Sequence, residues 1–156
     1  PSEVIYDTLI HFKAVAHRIE YVATKKGVDY YNDSKGTNTD AAIKAVEAMV
    51  KPTLIIGGGY DKNVTFDEWI EAFGSKVKLL VLIGATADKI EACARKHGFN
   101  EIERADSLLE AVRICADKAC DGDAVLLSPA CASWGMFKDY EQRGDMFKEY
   151  VHALED

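Results

Sequence analysis

Thr53-Leu54-Ile55-Ile56-Gly57-Gly58-Gly59 joins four uncharged, mostly β-branched or aliphatic residues to three glycines. The apolar run is too short for a typical helix and carries no polar alternation, so it reads as a strand buried on both faces. The glycines mark where the chain leaves it. The same grammar recurs at Leu79-Leu80-Val81-Leu82-Ile83 before Gly84, and at Ala124-Val125-Leu126-Leu127 before Ser128-Pro129. Between these runs the apolar residues switch to helical spacing: Ala42, Ile43, Val46, Met49 and Val50, then Phe66, Trp69, Ile70 and Phe73. Ile90, Cys93 and Ala94 follow, then Leu108, Leu109, Val112, Cys115, Ala116 and Ala119. A short strand is expected over 99–103. Strands separated by helical crossovers favour parallel pairing with helices on both faces of the sheet. The fold class is therefore α/β, a three-layer open sandwich with a Rossmann-like, mostly parallel sheet.

The amino-terminal part follows a different pattern. Ile19–Ala23 and Val28–Asn32 alternate in polarity around Lys25-Lys26-Gly27, which predicts an antiparallel hairpin. Val4, Ile5, Leu9 and Phe12 predict a leading helix, with 1–16 serving as a connection from a preceding domain. Pro1-Ser2 does not resemble an initiation region, so an excised segment is expected. The 156 residues, 48% of them hydrophobic, suffice for one compact domain over 1–156.

A formal charge of −7, from 26 acids against 19 Lys and Arg, gives no field that would attract nucleic acid, although a local basic cleft could still hold a small anion. No apolar run approaches the roughly 18 to 20 residues of a membrane span, and no secretory core follows a basic flank. Neither a nucleic-acid nor a membrane partner is expected, and the location is read as cytoplasmic. The four cysteines, at 93, 115, 120 and 131, lack a paired CxxC and are expected to be reduced. Cys93 and His97 fall four apart on a predicted helix. Two ligands do not make a metal site, and no metal is expected here.

Chemistry gathers where strands end. Tyr30-Tyr31-Asn32-Asp33-Ser34-Lys35-Gly36-Thr37-Asn38-Thr39-Asp40 passes from packing residues to an acid, an ammonium and hydroxyls just before a helix read as beginning at Ala41. A turn at Gly36 with a Thr37 or Thr39 cap would explain the backbone alone. Arg18 at the hairpin's entry and Asp33 at its exit could meet, either as a surface ion pair or around a ligand. Gly57–Gly59 matches neither a Walker A loop nor a dinucleotide fingerprint, which leaves Lys62 as its useful cation, or else a solvated partner of Asp61. In Leu127–Ser133, Pro129 restricts the turn, and Ser133 serves as a helix cap or an anion binder. No His and acid are placed to activate it as a nucleophile. The last stripe, Phe137, Tyr140, Gly144, Phe147, Val151 and Leu154, packs on the sheet. Tyr140 could reach a ligand, whereas Lys138 and Arg143 are expected on the solvated side.

Taken together, His17-Arg18-Ile19-Glu20, Tyr31 to Asn38, Gly58-Gly59-Tyr60-Asp61-Lys62 and Leu127 to Ser133 resemble the carboxy-terminal domain of the Mur ligases, from about Pro1 to Leu154. Met136-Phe137-Lys138 and Glu141-Gln142-Arg143-Gly144 are similar to the members that add D-glutamate. The resemblance implies a domain that binds the amino acid and closes over ATP in an ATP-dependent amide ligase of peptidoglycan precursor synthesis. D-glutamate would be added to UDP-N-acetylmuramoyl-L-alanine through an acyl phosphate. It implies ATP and magnesium in a full-length, monomeric enzyme whose amino-terminal and central domains are missing here. This part alone would be inactive and is expected to bind no cofactor. By the same resemblance, Arg18 and Asp33 face the nucleotide, with Arg18 on the transferring phosphate. Lys35, Thr37, Lys62, Ser133 and Tyr140 line the D-glutamate pocket, and Lys35 also positions the substrate for catalysis. Tyr140 stands where the family commonly has phenylalanine, and Tyr60-Asp61 where some relatives have Asp-Gly. A family member adding L-lysine or a diamino acid is the nearest alternative, and a stand-alone small-anion-binding or regulatory domain is the other.

Overall fold

The computed structural model describes residues 17–156, so the leading helix and the 1–16 connection lie outside the described residues. Six strands, β1 (Glu20–Lys25), β2 (Val28–Asn32), β3 (Thr53–Gly57), β4 (Val77–Leu82), β5 (Ile102–Arg104) and β6 (Ala124–Leu127), form one sheet in the order β1-β2-β6-β3-β4-β5. β1 and β2 pair antiparallel, and every other neighbouring pair is parallel. Lys26 and Gly27, at φ 51° and 77°, turn the hairpin in two left-handed residues, the geometry that matches the twist of its strands.

Among the described residues, five helices complete the layers: α1 (Thr39–Ala48), α2 (Asp67–Glu71), α3 (Ala87–Lys96), α4 (Leu108–Lys118) and α5 (Tyr140–His152). Because successive strand residues face opposite ways, Leu54 and Ile56 join Leu108, Val112, Phe147 and Val151 on the α4–α5 side. Ile55, Leu80 and Leu82 join Val46, Trp69 and Ile90 on the α1–α3 side. All of β3 and all of β6 are buried, as their unbroken apolar runs require. Each large aliphatic side chain hidden this way contributes about 1.5–3 kcal/mol. The expected three-layer α/β sandwich with an amino-terminal hairpin is the fold.

Local departures have local causes. The edge strand β5 is three residues long and begins at Ile102, later than expected, after Gly98 closes α3 with φ 84°. Asn38, rather than Thr37 or Thr39, caps α1: its side chain accepts the Ala41 amide at 2.9 Å, and the helix starts at Thr39. No helix follows Ser133 directly. The chain turns through 134–139, and α5 begins at Tyr140 with the Asp139 side chain accepting the Gln142 amide at 2.7 Å.

Periodicity cannot say which strand adjoins the hairpin. β2 lies between β1 and β6, with Asn32 opposite Leu127, so Asp33 leaves the sheet at the same edge as Ser128. That register brings the polar junction after β2 to the glycine loop after β3.

Candidate functional site

The loops at this edge are laced by backbone hydrogen bonds. Asp33 donates its amide to Leu127 at 2.7 Å, Ala130 to Gly36 at 3.0 Å, Gly58 to Pro129 at 2.9 Å and Tyr60 to Ala132 at 3.0 Å. Two backbone positions show how tightly they meet. Gly58, at φ 104°, faces the Ile83 carbonyl so closely that any Cβ would collide with it. Ala130 holds φ 59°, an unfavourable left-handed conformation costing about 1–2 kcal/mol, which the surrounding bonds sustain.

Arg18, Asp33 and Lys35 line one hollow of about 280 Å³, together with Asn38, Asp40 and Lys44. Asp33 is the buried member at 3% exposure: one oxygen accepts the Ile19 amide and the other the Ser128 hydroxyl, both at 3.1 Å. Loss of water pushes its carboxyl up to about 6. The Ile19 and Ser128 hydrogen bonds, then the charges of Arg18 and Arg143, pull in the other direction. Arg18 is exposed and lines the same hollow, where its charge acts on Asp33. Lys35 keeps its ammonium exposed while its amide is tied to the His17 carbonyl at 2.9 Å.

Thr37 and Lys62 line a second, smaller hollow of about 50 Å³ with Tyr60, Val64, Ala130 and Cys131, and Asn38 borders both. Asp61 pairs with Lys89 at 3.3 Å, leaving the Lys62 ammonium over the Trp134 ring at 5.3 Å from its centroid. Tyr60 and Trp134, both exposed, meet edge to face at 5.3 Å. Ser133 and Tyr140 line neither hollow. Ser133 is buried, and its carbonyl accepts the Phe137 amide at 3.0 Å. Tyr140 sets its ring edge to face on His17 at 6.0 Å, and its carbonyl accepts the Ser34 hydroxyl at 2.6 Å.

Arg143 corrects an expectation. Instead of facing water it is 1% exposed, with Nε donating to Ser34 Oγ at 2.9 Å, one terminal nitrogen to the Ser34 carbonyl at 2.7 Å and the other to the Cys131 carbonyl at 3.0 Å. Burial lowers its pKa to about 10, which still leaves it cationic at neutral pH. The planar fork thereby ties the loop after β2 to the loop after β6, a geometry an ammonium could not reproduce. Its position was visible: Arg143 falls three residues after Tyr140 and four before Phe147, on the apolar stripe itself. His17, the other residue undervalued by its sequence context, is buried and accepts Asn32 Nδ2 at 2.9 Å on Nδ1. That bond fixes the tautomer with Nε2 toward Asp145, 3.5 Å away.

A larger cleft of about 440 Å³ lies elsewhere, between β1–β2 and α4, among Lys25, Lys26, Arg113, Asp117 and Glu155. It contains none of the expected site residues, and its mixed charges do not converge on one ligand class.

Residues 17–131 match the family described as Mur ligase, glutamate ligase domain. The chain belongs to the Mur ligase family. Along 154 residues it is 64% identical to the UDP-N-acetylmuramoylalanine--D-glutamate ligase of Lachnospira eligens, covering 99% of this chain and 34% of that protein. The enzyme of the same name from Lachnoclostridium phytofermentans is 59% identical over 156 residues, again 34% of its length. The chain thus spans about a third of the curated relatives it matches. Among solved structures, the UDP-N-acetylmuramate-alanine ligase of Thermotoga maritima superposes with TM-score 0.59 at 12% identity, over 96% of this chain and 36% of that one. The bifunctional folylpolyglutamate synthase/dihydrofolate synthase of Yersinia pestis gives 0.61 at 15%, over 88% and 32%. These two likenesses show a Mur ligase fold. The family match ends at Cys131, so α5 and Arg143 lie beyond it, although the alignments to the D-glutamate ligases cover nearly the whole chain.

Proposed function

We propose that this chain is the amino-acid-binding domain of an ATP-dependent ligase that joins D-glutamate to UDP-N-acetylmuramoyl-L-alanine, a step in peptidoglycan precursor synthesis. The observation that carries the reading is the 64% identity to a D-glutamate ligase over 99% of the chain. The convergence of Arg18, Asp33 and Lys35 on one hollow, with Thr37 and Lys62 on the next, supports it.

D-glutamate brings two carboxylates and one amine. Lys35 and Lys62 offer two ammonium groups at neighbouring hollows, able to hold the carboxylates while leaving the amine free to attack. Thr37 adds a hydroxyl. Ser133 and Tyr140, which line neither hollow, act from behind the pocket, Ser133 through its buried turn and Tyr140 through its contacts with His17 and Ser34. On the other side, Arg18 is suited to the phosphate being transferred, and Asp33 to orienting part of the nucleotide. Arg18's exposure and the hollow beside it fit a phosphate group. ATP supplies the phosphoryl group that converts the acceptor carboxylate to an acyl phosphate. Magnesium has a poorer fit here: Asp33 is buried and already accepts two protein hydrogen bonds, so the ion is assigned to the missing central domain. That domain and the UDP-sugar-binding domain are the partners, and the domain described here is inactive without them. Closure by rigid-body motion would exclude water from the acyl phosphate.

The test uses the complete ligase. With Lys35 and Lys62 both replaced by Ala, the KM for D-glutamate rises at least about a hundredfold, since each charge-assisted hydrogen bond is worth roughly 1.5–3 kcal/mol. Normal turnover with an unchanged KM would remove both lysines from the pocket. A preference of the unaltered enzyme for L-lysine or a diamino acid would instead overturn the substrate.

A further inference from the structure

Away from this edge, two helices bring together side chains that the linear sequence keeps 30 residues apart, from Asp67 to His97. Cys93 and His97 lie one helical turn apart at the end of α3, and Asp67 and Glu71 are spaced the same way on α2. The ligand atoms of Asp67, Cys93 and His97 all lie within 4.8 Å of one another. His97 Nε2 stands 2.7 Å from Asp67 Oδ1, while its Nδ1 is 3.8 Å from Glu71 Oε1. We propose that Asp67, Cys93 and His97 form a zinc site that clamps α2 to α3, with water in the fourth position.

The donor set points to the metal class. One thiolate, one imidazole and one carboxylate suit a borderline transition-metal cation such as zinc, whereas calcium and magnesium demand a shell of oxygens. Ligand atoms around a tetrahedral zinc sit roughly 3–4 Å apart, given bonds of about 2.0–2.3 Å. The present cluster can contract to that spacing by side-chain rotation, because all three residues retain solvent access. Glu71, with Oε1 3.8 Å from Nδ1, needs only a small side-chain rotation to become the acceptor that a metal-bound histidine ordinarily has for its other ring N–H. The arrangement also contains an obstacle. Lys96 now reaches Asp67 Oδ1 at 3.1 Å, and the ion would have to displace it. Lys96 is 70% exposed, so it can turn into water, and an exposed ion pair of this kind holds only weakly.

Cobalt(II), which reports thiolate ligation by a near-ultraviolet charge-transfer band, is titrated into the reduced 156-residue chain. One equivalent should produce the band, and zinc should abolish it by displacing the cobalt. Both Cys93→Ser and His97→Ala should lose it, while Cys120→Ser, at an exposed cysteine outside the cluster, should keep it. Zinc should also raise Tm in the unaltered chain and not in Cys93→Ser. Glu71→Gln should weaken zinc about tenfold or more by releasing the imidazole. Absence of the band, or its persistence in Cys93→Ser or His97→Ala, overturns the site. Unchanged zinc affinity in Glu71→Gln overturns the role of Glu71. The readouts involve neither D-glutamate nor ATP, so they stand or fall independently of the ligase assignment.

Discussion

Asp33 is 3% exposed, and its two accepted hydrogen bonds only partly offset the water it has lost, so its pKa rises from the ordinary 3.8 to about 6. The sign of the consequence is fixed by linkage. Between about pH 4 and pH 6 the folded chain binds more protons here than the unfolded chain, so this group lowers stability as pH rises through that window. Above it the deficit is constant at about 3 kcal/mol, taking 1.36 kcal/mol per unit. Asp33→Asn keeps an oxygen for the Ile19 amide and cannot ionise. Urea unfolding at pH 4, 5, 6 and 7 should therefore show the variant gaining on the unaltered protein up to pH 6 and then running parallel to it. A constant difference across all four values would mean that Asp33 does not titrate in this range. A group kept costly in the free domain, beside an exposed Arg18, is consistent with a carboxylate retained for a ligand. Arg143 shows the other side of the same principle: its charge is buried too, but with a pKa of about 10 it stays ionised at neutral pH, and its three hydrogen bonds serve the scaffold that holds Asp33's loop.

In α5 the helix's own preference conflicts with its packing. Gly144 sits within the helix, where alanine would be favoured by about 1 kcal/mol. Its missing side chain is what lets α5 approach the hairpin entry: a Cβ would strike His17 Nδ1 and lie 2.9 Å from Asn32 Nδ2. His17 cannot retreat easily, being buried, bonded to Asn32 and set edge to face against Tyr140. Overpacking of this kind costs about 1–3 kcal/mol and should exceed the propensity gain. Gly144→Ala is thus expected to lower urea-unfolding stability by up to about 2 kcal/mol, net of the propensity gain. A variant at least as stable as the parent would show that α5 can shift without loss. The stripe Tyr140, Gly144, Phe147 and Val151 revealed the helix from sequence, but the charge of Arg143 sent that residue to the solvated side. Its role, and the need for a bare backbone at Gly144, depend on what stands opposite, and that information belongs to the hairpin entry and the loops after β2 and β6.

For the whole molecule, the legible features were those whose cause is local. Unbroken apolar runs marked β3, β4 and β6, alternation marked the hairpin, and Lys26-Gly27 marked its turn. Sheet order was not legible, because any of several exposed ladders could accept β2, and only side chains distant in sequence select β6. The same gap concealed which loops share the site and brought Asp67 to Cys93 and His97. The resulting order also predicts where the molecule is most rigid. β6 and β3 sit at the centre, each flanked on both sides, with every residue buried, whereas β5 is a three-residue edge strand whose residues are partly or fully exposed. Amide exchange at Leu54–Ile56 and Val125–Leu127 should require nearly global unfolding, while Ile102–Arg104 should exchange through local opening at much lower free energy. The loops after β3 and β6, which carry Lys62 and Ser133, grow directly from that protected centre, and Lys35 is tied to it through the Asp33–Leu127 bond. Exchange of the central strands as fast as the β5 edge would contradict this hierarchy, and with it the view that the pocket's cations are set on the most rigid part of the sheet.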